Sequence, residues 1–226
     1  METEAKRQFK DELFEQFARI GKAFSNGRRL ELLELLSQKE HTVEELAEEA
    51  AISVANCSQH LQLLRSAQLV DVRRDGLYAR YRLADDQVLQ LWLSLRSVGE
   101  ARLSEVNRIV ETYLKDRREL QAITSEELSS RLKKKDVVVV DVRPEPEYQA
   151  GHIAGARSIP VTELGKRLGE IPKRSTIVAY CRGPYCVFAD DAVALLRKRG
   201  YDAVRLEAGF PEWKMNGLPT AVGGFQ

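Results

Sequence analysis

One cysteine-containing segment constrains the fold of this chain more than any other. It reads Tyr180-Cys181-Arg182-Gly183-Pro184-Tyr185-Cys186, and it lies between the apolar run 176–179 and a helical pattern that begins near Val187. A cysteine at the end of a buried strand, in a tight loop that leads into a helix, lies where backbone N–H groups converge and the helix dipole favours an anionic sulfur. The pattern therefore predicts Cys181 as a nucleophile and Cys186 as its candidate partner in thiol exchange.

The C-terminal half of the chain alternates β-branched runs with helical patterns. Strand patterns lie at 137–140, 177–180 and 203–206, and helical patterns lie at 125–133, 162–169 and 187–199. This alternation predicts an α/β fold with a parallel sheet, in which ligands bind outside the carboxyl ends of the strands. Cys181 follows the second strand directly and is expected at such an end.

The N-terminal half predicts a helix-turn-helix followed by a basic hairpin. Apolar residues recur at three- and four-residue steps from Phe9 to Phe24, and the next three helices are expected to begin after Asn26, Thr42 and Ser53. Two alternating runs flank Asp75-Gly76, which is a strong hairpin signal. We expect the helix after Ser53 to enter the major groove of DNA and the hairpin to hold the adjacent phosphates or the minor groove.

Over roughly residues 10–115 the chain resembles the ArsR-type winged-helix repressors. The resemblance rests on segments 26–33 and 53–64 and on the hairpin led by Ala67-Gln68-Leu69-Val70. It implies a double-stranded DNA operator as partner, approached by Ser53, Asn56, Ser58, Gln59 and His60. In the alternative interpretation Ser53 only caps its helix and His60 packs against the scaffold. The charge pattern of the hairpin adds Arg73, Arg74 and Arg80 as candidate phosphate contacts.

The metal sites of that family are missing from this chain. Residues 44–49 contain no cysteine pair, and residues 86–114 contain no histidine. A zinc or arsenite site needs several converging thiolate or imidazole ligands. The isolated Cys57 is expected to be buried as a packing residue. We therefore expect no metal and no cofactor.

Apolar residues continue at helical steps through about Asp86 to Leu114, which predicts one helix of about 40 Å. Such a helix is too long to be covered by one small domain. We expect it to pair with helix 1 in a homodimer and so to set two recognition helices one DNA turn apart. The alternative is that the second domain of the same chain covers it.

Over about residues 122–222 the chain resembles a single rhodanese domain. The matching blocks are 141–143 with 147–148, 151–156 with 159–160, 181–186, and 209–213 with 217–219. The resemblance implies that Cys181 attacks a sulfane sulfur donor such as thiosulfate or polysulfide, becomes a persulfide and passes the sulfur to an acceptor thiol or cyanide. Phosphatases and arsenate reductases of similar architecture need an arginine six positions after the cysteine, where this chain has Val187. We therefore do not expect phosphoryl or arsenate chemistry at Cys181.

The residues around Cys181 have separate expected roles. Arg182, Gly183, Pro184 and Tyr185 are expected to cradle the persulfide, with the charge of Arg182 favouring anionic donors. The alternative for Arg182 is a side chain that points to solvent. Asp141 and Arg143 are expected to support the loop by hydrogen bonding, and His152 to be a structural turn residue. Cys186 is expected to resolve an oxidised or persulfidated Cys181 by forming a disulfide. The alternative for Cys186 is an inert cysteine at the start of the helix.

Composition limits where such a protein works and what it binds. The net charge of the 226 residues is +1, so any DNA-binding face must be a local patch such as 65–82, where five arginines meet Asp71 and Asp75. The sequence has no apolar run of about 18 residues and its N-terminus lacks a secretory signal. Its three cysteines do not suggest a secreted disulfide framework. We expect a cytoplasmic protein with no membrane contact.

These observations predict two domains, a mainly α winged helix-turn-helix over 1–115 and an α/β rhodanese domain with a parallel sheet over 122–226, joined by a linker at 116–121. The predicted function is transcriptional repression, with a Cys181 persulfide that senses sulfane sulfur or redox state. One alternative is a thiosulfate-type sulfurtransferase with a DNA-tethering module and no signalling. Another is a non-catalytic rhodanese fold that docks a partner.

Overall fold

A computed structural model describes residues 2–114 and 120–223 of the chain. The chain divides into two compact units, Met1–Trp92 and Leu93–Gln226. Most of the linker predicted at 116–121 lies outside the described residues, so that boundary stays a prediction. Within the described ranges no helix is both long and apolar enough to cross a membrane.

The first unit is a helix-turn-helix with a three-stranded antiparallel sheet. Its elements are α1 (Glu2–Phe24), α2 (Gly27–Leu36), β1 (His41–Thr42), α3 (Val43–Glu49), α4 (Val54–Ser66), β2 (Val70–Asp75), β3 (Tyr78–Leu83) and the start of α5 (Asp86–Arg102). The sheet order is β1-β3-β2. Asn26 Oδ1 accepts hydrogen bonds from the first amides of α2, and Thr42 forms a capping box with Glu45 at α3. The predicted winged helix-turn-helix is confirmed.

The apolar faces of these helices meet in one core. Leu32 and Leu33 of α2, Leu46 of α3 and Leu61 of α4 have no exposed surface. Cys57 is equally buried in this core, as expected for a packing residue. The helical spacing of the leucines therefore fixes how α2, α3 and α4 pack.

The long helix expected from Asp86 to Leu114 is interrupted. The structure has α5 over Asp86–Arg102 and α6 over Ser104–Tyr113, with Leu103 between them in an extended conformation. Glu105 lies in the first turn of α6, where an acidic side chain interacts favourably with the helix dipole. A single continuous helix was therefore the wrong prediction, although its apolar residues do lie on helices.

The second unit contains a five-stranded parallel sheet in the order β4-β9-β8-β5-β7. The second unit begins with the last residues of α5, followed by α6. The elements that come next are β4 (Ala122–Ile123), α7 (Ser125–Lys134), β5 (Val137–Asp141), α8 (Glu145–Ala150), β6 (His152–Ile153), β7 (Arg157–Ser158), α9 (Val161–Arg167), β8 (Thr176–Tyr180), α10 (Phe188–Lys198), β9 (Ala203–Leu206), α11 (Phe210–Met215) and β10 (Thr220–Ala221). The predicted α/β fold with a parallel sheet is confirmed.

Strand β8 lies in the middle of this sheet and is buried on both faces. Ile177 and Ala179 belong to the core on one side, and Val178 and Tyr180 belong to the core on the other. Burial on both faces explains why the strand reads as a continuous apolar run. The strand delivers Cys181 at its carboxyl end.

Gly209, which precedes α11, allows two backbone segments to approach closely. A Cβ atom at this position would lie 2.3 Å from the carbonyl oxygen of Arg182, a distance that requires the backbone to move. We expect Gly209→Ala to lower the free energy of unfolding by about 1–3 kcal/mol, as overpacking does, in urea denaturation followed by circular dichroism. Gly165→Ala is the control, because a Cβ there meets nothing within 4 Å. Equal stability of the two variants would contradict this assignment.

Candidate functional site

The candidate active site is the loop of residues 181–186, here called the cysteine loop. Cys181 follows β8 and is only 2% exposed. A disulfide joins it to the partly exposed Cys186, and their Cα atoms lie 6.3 Å apart. Val187 then caps α10 without a side-chain hydrogen bond to the first amides of the helix. The structure thus brings both predicted thiols together at a helix N-terminus.

The backbone of the cysteine loop is folded tightly and anchored at its start. The amide of Cys186 donates to the carbonyl of Gly183 at 3.2 Å, which closes a turn that includes Pro184. The amide of Phe210 donates to the carbonyl of Cys181 at 3.1 Å. Tyr185 is partly exposed, and its hydroxyl donates to Glu100 Oε1 at 2.7 Å. The contribution of this loop to a cradle would therefore come from its backbone rather than from the Tyr185 hydroxyl.

The guanidinium of Arg182 is held by Glu147, which is completely buried on α8. Arg182 Nε lies 2.9 Å from Glu147 Oε1 and 3.1 Å from Oε2, and the Arg182 side chain is 14% exposed. The positive charge is thus compensated by a buried carboxylate. A paired guanidinium presents little net charge to an anionic donor, and the role predicted for Arg182 stays a prediction.

Asp141 and Arg143 form a buried network below the cysteine loop. Arg143 donates to Asp141 Oδ2 and to the carbonyl of Gly151, each at 2.7 Å, and both side chains have no exposed surface. Tyr180 donates its hydroxyl proton to Asp141 and accepts a hydrogen bond from the amide of Ile153 at 3.1 Å. Burial, and then the Asp141 charge, raise the pKa of Tyr180, which keeps it a donor. The network ties the residue before Cys181 to β5 and to segment 151–153.

Two other groups lie where no sulfur chemistry is expected. His152 stacks on the Tyr148 ring with centroids 3.7 Å apart, and its Nδ1 lies 2.9 Å from the Tyr148 carbonyl oxygen. These contacts are those of a structural residue. Burial, followed by the charge of Glu44, raises the pKa of the Cys57 thiol to about 11. Cys57 is therefore protonated at neutral pH and a poor nucleophile.

The candidate DNA interface begins at the start of α4. Ser53 Oγ accepts a hydrogen bond from the amide of Asn56 at 3.2 Å, so Ser53 does cap the helix. Ser53, Asn56 and Gln59 are exposed, whereas Ser58 and His60 are half-buried. Burial, and then the charges of Arg29 and Arg28, lower the pKa of His60. His60 is therefore neutral at pH 7 and would meet DNA only as a neutral hydrogen-bonding group.

The hairpin arginines are closer to acidic residues than the sequence suggests. Arg73 pairs with Glu40 at 2.9 Å, and Arg80 pairs with Asp75 at 3.0 Å. The expectation that this patch faces only Asp71 and Asp75 was wrong, because Glu40 reaches Arg73 and Glu45 of α3 lies 3.8 Å from Arg80. Arg74 is exposed and has no side-chain partner among the residues that the structure describes. Arg74 therefore offers the least compensated charge of the three predicted arginines.

Sequence reasoning missed several residues that hold the cysteine loop. Glu147 and Glu212 of α11 were recognised only as parts of matching blocks, and Glu100 of α5 was assigned no role. No local signal distinguishes these glutamates from solvent-exposed ones in a chain with 34 acidic residues. Their function follows from partners that are distant in the sequence.

Comparison with known proteins supports both predicted domains, the helix-turn-helix of the N-terminal half and the rhodanese domain of the C-terminal half. A model described as "Rhodanese-like domain" matches residues 124–216, and one described as "Helix-turn-helix domain" matches residues 24–73. The HTH-type transcriptional regulator Rv0324 of Mycobacterium tuberculosis is 44% identical over 211 residues, which cover 93% of this chain and 92% of the relative. A sulfurtransferase of Allochromatium vinosum is 38% identical over 44% of this chain and 94% of its own length.

A solved homodimeric winged helix-turn-helix DNA-binding domain from Mycobacterium bovis is 40% identical, covers 42% of this chain and 87% of that chain, and has a TM-score of 0.40. Membership rests on the regulator aligned along nearly the whole chain and on the two domain matches. The chain belongs to the family of helix-turn-helix transcriptional regulators in which an ArsR-type winged helix-turn-helix precedes a rhodanese-like domain.

Proposed function

We propose that this regulator is a repressor whose rhodanese domain forms a persulfide on Cys181 and thereby senses sulfane sulfur or redox state. The observation that carries the proposal is the pairing of Cys181 with Cys186 across one loop at a strand end. The pair allows a closed disulfide, an open dithiol and a persulfide within the same six positions. Each state gives the loop a different set of covalent constraints.

The closed loop opens by attack on the more exposed sulfur. Cys186 is partly exposed whereas Cys181 is 2% exposed, so an external thiolate reaches Cys186 first. The bond between the two sulfurs breaks, and its electron pair leaves with Cys181 as a thiolate. A second thiolate then releases Cys186 and leaves as part of a small disulfide. The two reductant thiols are oxidised and the loop is reduced by two electrons.

The Cys181 thiolate then attacks the outer sulfur of a donor. With thiosulfate, a bond forms between Cys181 Sγ and that sulfur, and sulfite leaves with the electron pair of the broken bond. With a polysulfide, the leaving group is a polysulfide one atom shorter. The uncapped first amides of α10 are suited to stabilise the persulfide anion. Since Arg182 is paired with Glu147, these amides carry that role.

The persulfide has two outlets. An acceptor thiolate or cyanide attacks the outer sulfur and regenerates the Cys181 thiolate. Alternatively, the Cys186 thiolate attacks Cys181 Sγ, the disulfide closes and the outer sulfur leaves as hydrosulfide. The second outlet returns the loop to its closed form and makes persulfide formation a route to oxidation.

The DNA-binding half of the proposal rests on exposed groups of the first unit and of α5. Ser53, Asn56 and Gln59 at the exposed start of α4 are proposed to read bases, and Arg74 to contact phosphate. Phe9 and Phe17 of α1 are 64% and 60% exposed, and apolar residues of α5 are also exposed. Exposed apolar surface of this kind favours a protein interface, here proposed to be a homodimer.

A second candidate is a sulfurtransferase tethered to DNA without signalling. It is favoured by the similarity of the C-terminal half to nearly the whole length of a bacterial sulfurtransferase. The two candidates differ in one measurement, the affinity for DNA before and after treatment with a sulfur donor. A regulator changes its affinity, and a tethered enzyme does not.

Cys181→Ser should abolish the gain of one sulfur atom in intact-mass spectra after thiosulfate or polysulfide treatment of the reduced protein. Turnover with thiosulfate and cyanide should fall about a thousandfold or more, as it does when a nucleophile is removed. Cys57→Ala is the control and should keep both properties, because the Cys57 thiol is buried and protonated. Sulfur uptake by the Cys181→Ser protein would refute the assignment of the nucleophile.

Cys186→Ser should have the opposite effect on the persulfide. Without the resolving thiol the outer sulfur is not expelled as hydrosulfide, so the persulfide should accumulate and last longer. The measurement is the time course of the persulfidated mass after removal of the donor. If the persulfide decays equally fast in both proteins, Cys186 is only a cysteine at the start of the helix.

Gln59→Ala and Arg74→Ala should weaken DNA binding in different ways. On duplexes selected from a random library, Gln59→Ala should reduce affinity about 5- to 100-fold and relax sequence preference, as loss of a base contact does. Arg74→Ala should lower the slope of log affinity against log salt by about one, because one phosphate contact is lost. Arg73→Ala is the matched comparison and should change the slope less, because Arg73 is paired with Glu40.

A further inference from the structure

Within the second unit, a hydrogen bond joins the cysteine loop to the C-terminal part of helix α5. Tyr185 of the loop donates its hydroxyl proton to Glu100 Oε1 at 2.7 Å. The same Glu100 oxygen lies 3.3 Å from Arg96 Nε, one turn earlier on α5. Arg96 in turn pairs with Glu212 on α11. These contacts form one series of hydrogen bonds and ion pairs from the loop through α5 to α11.

The series returns to the other end of the cysteine loop. Glu212 Oε2 accepts a hydrogen bond from the amide of Gly209 at 2.8 Å. Gly209 lies against the carbonyl group of Arg182, and the next residue, Phe210, donates its amide to Cys181. One branch therefore contacts the loop beside Cys186, and the other contacts it at Cys181 and Arg182.

The ion pairs that join Arg96 to Glu100 and Glu212 are favourable only while all three side chains are in place. The side chains of Arg96 and Glu212 are only 13% and 15% exposed. If their ion pair broke, each charge would be left without a partner in a position that water solvates poorly, which is costly. The guanidinium of Arg96 is shared by two carboxylates, and the Tyr185 hydroxyl supplies Glu100 with an additional donor. Displacement of Tyr185 removes that donor and weakens the hold on the end of α5.

Helix α5 is also part of the core of the first unit. It is one uninterrupted helix of 17 residues. Val88 near its start is buried in the core that contains the helix-turn-helix, and Trp92 packs against the same core. Helix α5 therefore contains residues of the first unit's core near its start and residues that contact the cysteine loop near its end.

We propose that Arg96 and Glu100 couple the bond between Cys181 and Cys186 to helix α5. A closed disulfide restricts the backbone of 181–186 and keeps Tyr185 on Glu100. When the bond opens, the loop gains freedom, Tyr185 leaves Glu100 and the end of α5 is less firmly held. The proposal rests on the proposed function in one respect, since it requires the bond to open and close.

The test is amide hydrogen exchange of the full-length protein, measured on peptides from 93–102 in the disulfide and dithiol forms. Exchange in the wild type should be about three- to tenfold slower in the disulfide form, the size expected for a partly exposed hydrogen bond to a charged group. Glu100→Gln should remove this difference between the two forms. Glu207→Gln, an exposed glutamate outside the contact series, is the matched control and should retain it.

The outcomes separate this inference from the proposed function. Equal exchange of 93–102 in the two forms of the wild type would overturn the inference, and so would a difference that persists in Glu100→Gln. Sulfur uptake by Cys181 is measured on the same wild-type samples by intact mass. If Cys181 takes up no sulfur but the exchange difference behaves as expected, persulfide sensing fails and the coupling stands as a thiol–disulfide device.

Discussion

The buried pair of Asp141 and Arg143 is the interaction on which the position of the reactive cysteine depends. A buried ion pair is tolerated only when further hydrogen bonds satisfy both groups, because its desolvation is costly. Here Asp141 accepts from Arg143 and Tyr180, and Arg143 also donates to the carbonyl of Gly151. These bonds join the carboxyl ends of β5 and β8, the edge from which the cysteine loop leaves the sheet. The position of Cys181 thus depends on a buried structural network.

The charge balance of the site differs from what a cysteine followed by an arginine suggests. Glu147 pairs with Arg182, and no side chain caps the first backbone amides of α10. Two acidic residues, Asp190 and Asp191, lie in the first turn of that helix, and Asp190 is 3.7 Å from Arg205. A site of this kind depends on loop geometry more than on net charge. Opening or closing the bond between Cys181 and Cys186 would therefore change the geometry of the site directly.

Helix α5 is divided between the two compact units of the chain. The boundary between the two compact units falls within this helix, after Trp92. One helix consequently contributes to the core of the DNA-reading unit near its start and to the surroundings of the cysteine loop near its end.

The sequence by itself determined most of the secondary-structure elements and the place of the cysteine loop, although not the break between α5 and α6. The leucine spacing in α2 to α4, the Asp75-Gly76 turn and the two-sided apolar run of β8 are local patterns, and each was read correctly. Only the tertiary structure decided which charges meet, as Arg182 with Glu147, Arg73 with Glu40 and Tyr185 with Glu100 show. These partners are separated by 35, 33 and 85 residues, and periodicity carries no information about such pairs. The fold follows from where apolar side chains recur, whereas the charge and linkage of the site follow from how the folded elements pack.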